Sequence, residues 1–462
     1  MNKTFQGFSL IGKFKKKKQM KLFEDFKIKF ERPDWSRDPE LGLIDTIIEQ
    51  HPHLVALLAE DITRGQKASV FGRKDTPSVE QIVRAAIYKE IKGLDYRQLE
   101  YHQTDSRICA LFIKIDELRP YSFQMYQNYI SKVTPDKLQR LLFELNKLAI
   151  EAGIEDLKSI RQDSTVVESN IHHPTNNSLL WDCIKEAYRL LGHLKEELDG
   201  LTYQNYTVQA KKTYFKINNT KGDKRKDLFA NQLTLFIKTM NQVSNVIKKK
   251  LPLNINAMGI IRALEKHLEV MGLVYDMACT KEIKGEKVPN EEKIFSIYEQ
   301  HTDIIVKGSR EVQFGHKVDL TSGRSNLVLH CDVLRGNPSD SKLFAPALDS
   351  IIEGYGIVPR DCATDGGYAS LANQAYAAEK GVVNIVFNKI VGSLQNISSS
   401  KNMETRLKKW RSGAEAIISN IKRGFNLVRC AWKGWRNFVS KVLWSVIAYN
   451  IRVMTAHVVK LV

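Results

Sequence analysis

The chain has 462 residues, long enough for two or three domains, and its 43% hydrophobic content argues against a disordered polymer. Lysine plus arginine exceed aspartate plus glutamate by 70 − 52 = 18, so the summed field attracts polyanions, nucleic acid ahead of an anionic membrane surface. Six cysteines without a C-x-x-C pair argue against a zinc ribbon or a disulfide framework and read as reduced core residues of a cytoplasmic protein.

Residues 1–40 are basic and interrupted by Pro33 and Pro39, which reads as a loosely ordered leader without an apolar signal core. Apolar residues over 41–58 recur at helical spacing, and a Gly/Lys-rich break follows at 64–74. The next helix starts at Thr76-Pro-Ser78-Val-Glu80, capped by Thr76 or Ser78, and carries Val79, Ile82, Val83, Ala86 and Ile87 as its apolar stripe up to Gly93. Short helices at 96–99, 108–112 and 122–133 and a longer one at 135–152 complete an all-α amino-terminal domain over 41–152. On pattern alone this domain is either a helix-turn-helix DNA reader or a plain helical bundle.

The period changes at 159–168, where β-branched residues predict a strand with Arg161, Asp163, Thr165 and Val167 on one face. An acid in the middle of a half-buried strand is costly without partners or a metal. Residues 178–300 read as a helical, basic insertion. Its runs Lys211-Lys212, Lys224-Arg225-Lys226 and 248–250 are either solvated faces or phosphate contacts, and Tyr203, Tyr206, Tyr214 and Phe215 among them would suit stacking on unpaired bases.

Strands return at 312–320 and 326–334, joined by Thr321-Ser-Gly-Arg-Ser as a hairpin connection, and a helix follows at 341–352. Asp361-Cys-Ala-Thr-Asp365-Gly-Gly-Tyr368 predicts a short strand running into a turn, with Asp365 at its carboxyl end. Gly366 and Gly367 there would let the backbone pass close to a ligand. Asp332 and Asp340 are rival acids. A strand at 382–387 and a Ser/Asn/Lys-rich loop at 392–402 precede the run 411–429, which reads as one amphipathic helix. At about 100° per residue, Arg411, Glu415 and Lys422 fall within roughly 40° of one another, beside an apolar face of Ala414, Ile417, Ile421 and Phe425. The most apolar run, 442–448, is far short of the roughly 20 residues that span a bilayer.

The run RSGAEAIISNIKRGFNLVR resembles the carboxy-terminal signature of IS4/IS5-type DDE transposases: Arg, three residues, Glu, six residues, Lys. Where that family has a Tyr three positions before the Arg, this chain has Lys408, with Trp410 nearby. DSTVVESNIHHPT resembles the family's first catalytic block and ATDGGYAS its second. VRAAIYKEIKGLDYRQLEYHQTDSRICALFI resembles the amino-terminal helical domain of the IS5-type members, which favours DNA binding there. The resemblance spans about 76–450. It implies an α/β fold, a ribonuclease H-like mixed sheet forming a catalytic domain over 153–455 with a large helical insertion.

By the same resemblance Asp163, Asp365 and Glu415 are the catalytic acids and the ligands of two Mg²⁺ or Mn²⁺ ions. Arg411, Lys422 and Arg423, with Lys224, Arg225 and Lys226, are the DNA-binding candidates. The implied protein works on double-stranded DNA, both transposon ends and target, as a homodimer in a synaptic complex at the bacterial nucleoid, with no membrane partner. Two alternatives stand beside it: a ribonuclease H-like nuclease without strand transfer, and a non-enzymatic DNA-binding protein derived from a transposase. No Gly-rich P-loop is present, so ATP is not implied.

Overall fold

Capping chemistry sets where the amino-terminal helices begin. Asp38 accepts the Leu41 N–H ahead of α1 (Pro39–Gln50), and two short helices follow, α2 (Pro52–Ala56) and α3 (Ala59–Thr63). Of the two caps open in sequence, Ser78 is the one used: with Gln81 it closes a capping box on α4 (Val79–Ile91). Asp95 and Gln98 do the same for α5 (Tyr96–Asp105), and Ser106 and Ser122 cap α6 (Arg107–Ile113) and α7 (Phe123–Ile130). Pro135 opens α8 (Pro135–Glu151) at the position where its missing N–H costs nothing.

The chain continues through β1 (Ser159–Ser169), α9 (Asn176–Glu197), α10 (Thr207–Asn219), α11 (Lys224–Lys248) and α12 (Ile255–Ala278). Then come β2 (Asp303–Lys307), β3 (Glu311–Ser322), β4 (Val328–Val333), α13 (Phe344–Tyr355), β5 (Asp361–Asp365), α14 (Leu371–Glu379) and β6 (Asn384–Asn388). The last elements are α15 (Lys401–Arg411), α16 (Gly413–Gly424), β7 (Arg429–Cys430) and α17 (Trp435–Val459). This computed structural model describes residues 35, 37–65, 76–116, 119–249, 254–307, 311–390 and 392–459. Most of the expected leader and most of the Gly/Lys-rich break lie outside them, while Pro39 and Glu40 already open α1.

The described residues form two compact units, one holding the residues up to Glu168 and from His316 onward, the other Ser169–Gly315. The fold is mixed α/β with a helical majority and a mixed sheet. In the first unit β1 pairs in parallel with β5, β5 in parallel with β6, and β3 antiparallel with β4, while β3 and β7 also pair with β1. The register Gln162↔Thr364 carries one step further to set Asp163 level with Asp365 on the neighbouring strand. From Ser159 to Gln162 β1 is buried without alternation, as a strand covered on both faces must be, so the expected single inward face is replaced by two.

No break in the core falls at residue 152. Leu141, Leu142 and Leu145 of α8 share one cluster with Val328 and Leu329 of β4 and with Val442, Val446 and Ile447 of α17. Helix α17 is long and apolar enough, by length and composition, to cross a bilayer, which the sequence reading did not expect; 72% of its apolar 18-residue stretch is buried inside the protein. Its polar residues serve the core. Asn450 accepts the Val328 N–H at 2.9 Å and donates to the Val328 carbonyl at 2.8 Å, standing in for a strand partner at the start of β4. In the second unit Leu180, Ile184, Leu191, Phe229, Phe236, Leu264 and Met271 fill the bundle α9–α12, and β2 pairs antiparallel with the first residues of β3.

Helices α4 and α17 are joined by a buried ionic knot. Glu90 accepts from Lys89 at 2.9 Å and from Lys441, which also donates to the Phe425 carbonyl at 3.1 Å. Burial alone would raise the Glu90 pKa, but the two ammonium groups pull it below its ordinary value. Glu90→Gln leaves two buried cations without their anion and should cost about 3–5 kcal/mol in urea unfolding. Adding Lys441→Met in the same chain should recover part of that loss.

Candidate active site

Successive side chains on a strand alternate in direction, so Arg161 and Asp163 leave β1 on the same side. There Asp163 accepts a hydrogen bond from Arg411 Nη2 at 2.7 Å. Arg411 Nη1 lies 3.3 Å from Glu415 Oε1 and 3.7 Å from Asp365 Oδ1. The structure therefore brings Asp163, Asp365 and Glu415 together around one guanidinium. Exposure is graded across the cluster: the side chains of Arg411, Asp163, Asp365 and Glu415 are 5%, 15%, 41% and 71% accessible.

The single helix expected over 411–429 is not formed. Helix α15 ends at Arg411, α16 starts at Gly413 and stops at Gly424, and Arg429 begins β7. At the break Arg161 meets the end of α15. Its Nη1 donates at 2.7 Å to the carbonyl of Trp410, which also accepts the Ser412 N–H and which an uninterrupted helix would offer to the N–H of residue 414. Its Nε donates to Ser322 Oγ at 3.2 Å, its Nη2 donates to Asn326 Oδ1, and its guanidinium lies 4.8 Å from the centre of the Trp410 ring. A Cβ at Gly413 would stand closer than 3.0 Å to Arg161 Nη1. Glu415 thus falls in the first turn of α16, where a negative charge complements the helix dipole, and Lys422 and Arg423 fall in its last turn.

The two signature cations face protein. Arg411 is buried among the acids, and Lys422 Nζ donates to the Val166 carbonyl of β1 at 2.8 Å, tying α16 to the strand. Arg423 is exposed and lines a cavity of about 660 Å³ with Asn326, Arg452 and His457. Lys224, Arg225 and Lys226 are exposed in the first turn of α11, in the second unit. The two glycines after Asp365 also have a different reason from the expected one. A Cβ at Gly366 would meet the Lys389 and Asn388 carbonyls at 2.5 and 2.7 Å, and one at Gly367 would meet Asp340 Oδ2 at 2.8 Å. They admit the end of β6 and an acid side chain.

Below the triad lies a second polar layer that the sequence reading missed. Asp319 of β3 is buried and accepts from Gln162 Nε2 at 2.7 Å and from the Tyr368 hydroxyl at 2.6 Å, linking the neighbour of Asp163 to the turn after Asp365. Burial pushes its carboxyl up to about 7; the hydrogen bonds from Tyr368 and Gln162 oppose this, and the charges of Asp340 and Asp332 add to it. Of the rival acids, Asp340 accepts from Lys317 Nζ at 3.0 Å and Ser164 Oγ at 3.1 Å, while Asp332 is exposed on β4. A signal was available, since Lys317 and Asp319 are charges at alternate positions of a strand, set around Val318 and Leu320.

Every donor in the triad is a carboxylate oxygen, the ligand chemistry of a hard divalent cation. Among the described residues no group of three or more His, Cys, Asp or Glu side chains stands close enough to hold an ion; the three acids instead share Arg411, at 2.7, 3.3 and 3.7 Å. The geometry is that of an acid cluster on the rim of a mixed sheet, contributed by a strand, the end of its parallel neighbour and a helix start. Residues 308–451 match the family model described as a transposase DDE domain, a segment that contains Asp365, Arg411, Glu415 and Lys422. No curated protein and no solved structure matches the chain.

Because the folded pKa of Asp319 is raised, its stabilising contribution is complete below the ordinary carboxylate pKa and is lost as pH rises from about 4 to about 7. Asp319→Asn removes the titration. Between pH 4 and pH 8 the stability difference should move toward the variant by up to about 4 kcal/mol, read from urea midpoints across the range. A parallel pH profile for the two proteins would contradict this.

Proposed function

We propose that this chain is a DDE transposase of a bacterial insertion sequence, similar to the IS4/IS5-type group. In this reading it binds terminal inverted repeats, cleaves the phosphodiester bond at the ends and transfers the freed 3′-hydroxyl to target DNA. The carrying observation is the meeting of Asp163, Asp365 and Glu415 at the Arg411 guanidinium, with Asp365 and Glu415 inside the matched segment. The placement of the acids on the mixed sheet supports the reading: one lies within β1, one at the end of parallel β5, and one on a helix after β6.

Asp163, Asp365 and Glu415 would hold Mg²⁺ or Mn²⁺, and two such ions when bound would activate the attacking oxygen and stabilise the leaving one in an in-line displacement. Three carboxylates against one guanidinium leave the cluster net negative, so it attracts a divalent cation and repels a bare phosphate. Asp163 is the fixed donor, held by Arg411 on a buried strand, while the more exposed Asp365 and Glu415 have room to rotate. Lys317 neutralises Asp340 and keeps a fourth carboxylate out of the set.

For DNA the strongest candidates are Lys224, Arg225 and Lys226. Against Asp227 in the same turn and Asp223 at its cap, Lys224, Arg225 and Lys226 leave this helix start net positive, an arrangement a polyanion would relieve. Arg423 is exposed and fits the same role. Contact of Arg411 or Lys422 with phosphate requires each to leave its protein partner. The reading places two copies on paired ends at the bacterial nucleoid.

Asp163→Asn, Asp365→Asn and Glu415→Gln should each abolish Mg²⁺-dependent cleavage of the element's ends while leaving gel-shift binding in a chelator intact. Asp340→Asn should retain part of the activity; loss there with survival in Asp365→Asn overturns the assignment. A strand-transfer product separates a transposase from a nuclease that only nicks. With about six phosphates neutralised, affinity should fall roughly 10³-fold between about 50 and 200 mM salt, and a flat response would remove the electrostatic argument.

A further inference from the structure

Resting on the triad reading above, we propose that Arg161 is a positioning residue of the active site: it interrupts the helix after Trp410 so that Arg411 and Glu415 meet Asp163, and residue 413 is glycine to admit it. The contacts across this junction are reciprocal. Arg161 reaches from β1 to the Trp410 carbonyl of α15, and Arg411 reaches back from the end of α15 to Asp163, two residues along the same strand.

The chemistry of Arg161 argues against a plain packing role. It is buried, yet its hydrogen bonds go to neutral oxygens: the Trp410 carbonyl, the Asn326 amide and the Ser322 hydroxyl. A buried cation held by neutral acceptors is costly, and an apolar side chain of similar volume would fill the space at lower cost. What an apolar side chain cannot do is donate to the Trp410 carbonyl, which besides Arg161 accepts the nearby Ser412 N–H, and so hold it out of the helical ladder. Nor can lysine reproduce the arrangement, because the flat guanidinium donates in three directions while lying on the Trp410 ring.

Gly413 is the other half of the device. Its Cα would otherwise carry a methyl inside contact distance of Arg161 Nη1. Alanine has the higher helix propensity and would be favoured at the start of α16 if the space were free. Any loss from Gly413→Ala therefore reports the collision and not a weakened helix.

The test uses the full-length chain, with Mn²⁺ as the probe, its binding followed by electron paramagnetic resonance of the free ion. Gly413→Ala and Arg161→Lys should each weaken Mn²⁺ binding about tenfold or more and raise the Mg²⁺ needed for half-maximal end cleavage by a similar factor, with gel-shift affinity in a chelator unchanged. In the double variant the methyl enters space the guanidinium has left, so its loss should be no larger than that of Arg161→Lys alone. Wild-type Mn²⁺ binding by Gly413→Ala, or losses that multiply in the double variant, would overturn the clamp. If Arg161→Lys fails to fold, Gly413→Ala decides by itself. The triad reading fails separately, when Asp163→Asn and Glu415→Gln leave Mn²⁺ binding and cleavage as in the wild type.

Discussion

Arg411 is the point on which the site depends. Pairs of like charges about 4 Å apart repel by about 4 kcal/mol at an effective dielectric near 20, so three carboxylates cannot be gathered at a sheet rim without a counter-charge. Arg411 supplies it from a buried position, with Nη2 on Asp163 and Nη1 facing Glu415 and Asp365, while its Nε donates to nothing. Its own placement is inherited from the end of α15, and that end is held by Arg161.

The surroundings of this cluster are arranged to keep it rigid on one side and open on the other. Asp319 ties β1 to the turn after Asp365 through Gln162 and Tyr368, and Lys422 fastens α16 to the Val166 carbonyl. Behind them α17 supplies the core, with Asn450 completing the start of β4 and Lys441 completing the knot with Glu90. Glu415 and Asp365 are the more exposed members, 71% and 41% accessible against 5% for Arg411.

The matched segment begins after Asp163, which is separated in sequence from the rest of the site by the helical second unit. The parallel pairing of β1 with β5 closes that gap: Ser159↔Asp361 through Gln162↔Thr364 is a register that leaves Asp163 and Asp365 side by side. A long insertion between β1 and β3 is compatible with this pairing because strand register is set by local backbone hydrogen bonds and side-chain burial, not by the length of chain between strands.

Much was legible in the residues alone. The strand around Asp163, the strand ending on Asp365, the hairpin at Thr321-Ser-Gly-Arg-Ser and the start of α4 follow from periodicity, turn residues and caps, all of which act over a few positions. So does the spacing that puts Glu415 four residues after Arg411. The interruption between α15 and α16, the burial of Arg411, the use of Lys422 on a strand carbonyl, the reasons for Gly366, Gly367 and Gly413, and the inward fate of α17 were decided by the tertiary structure. In each case the deciding partner is distant in sequence, as Arg161 is from Trp410. Periodicity records which face a residue occupies; which oxygen a buried cation finds there depends on what the fold brings to that face.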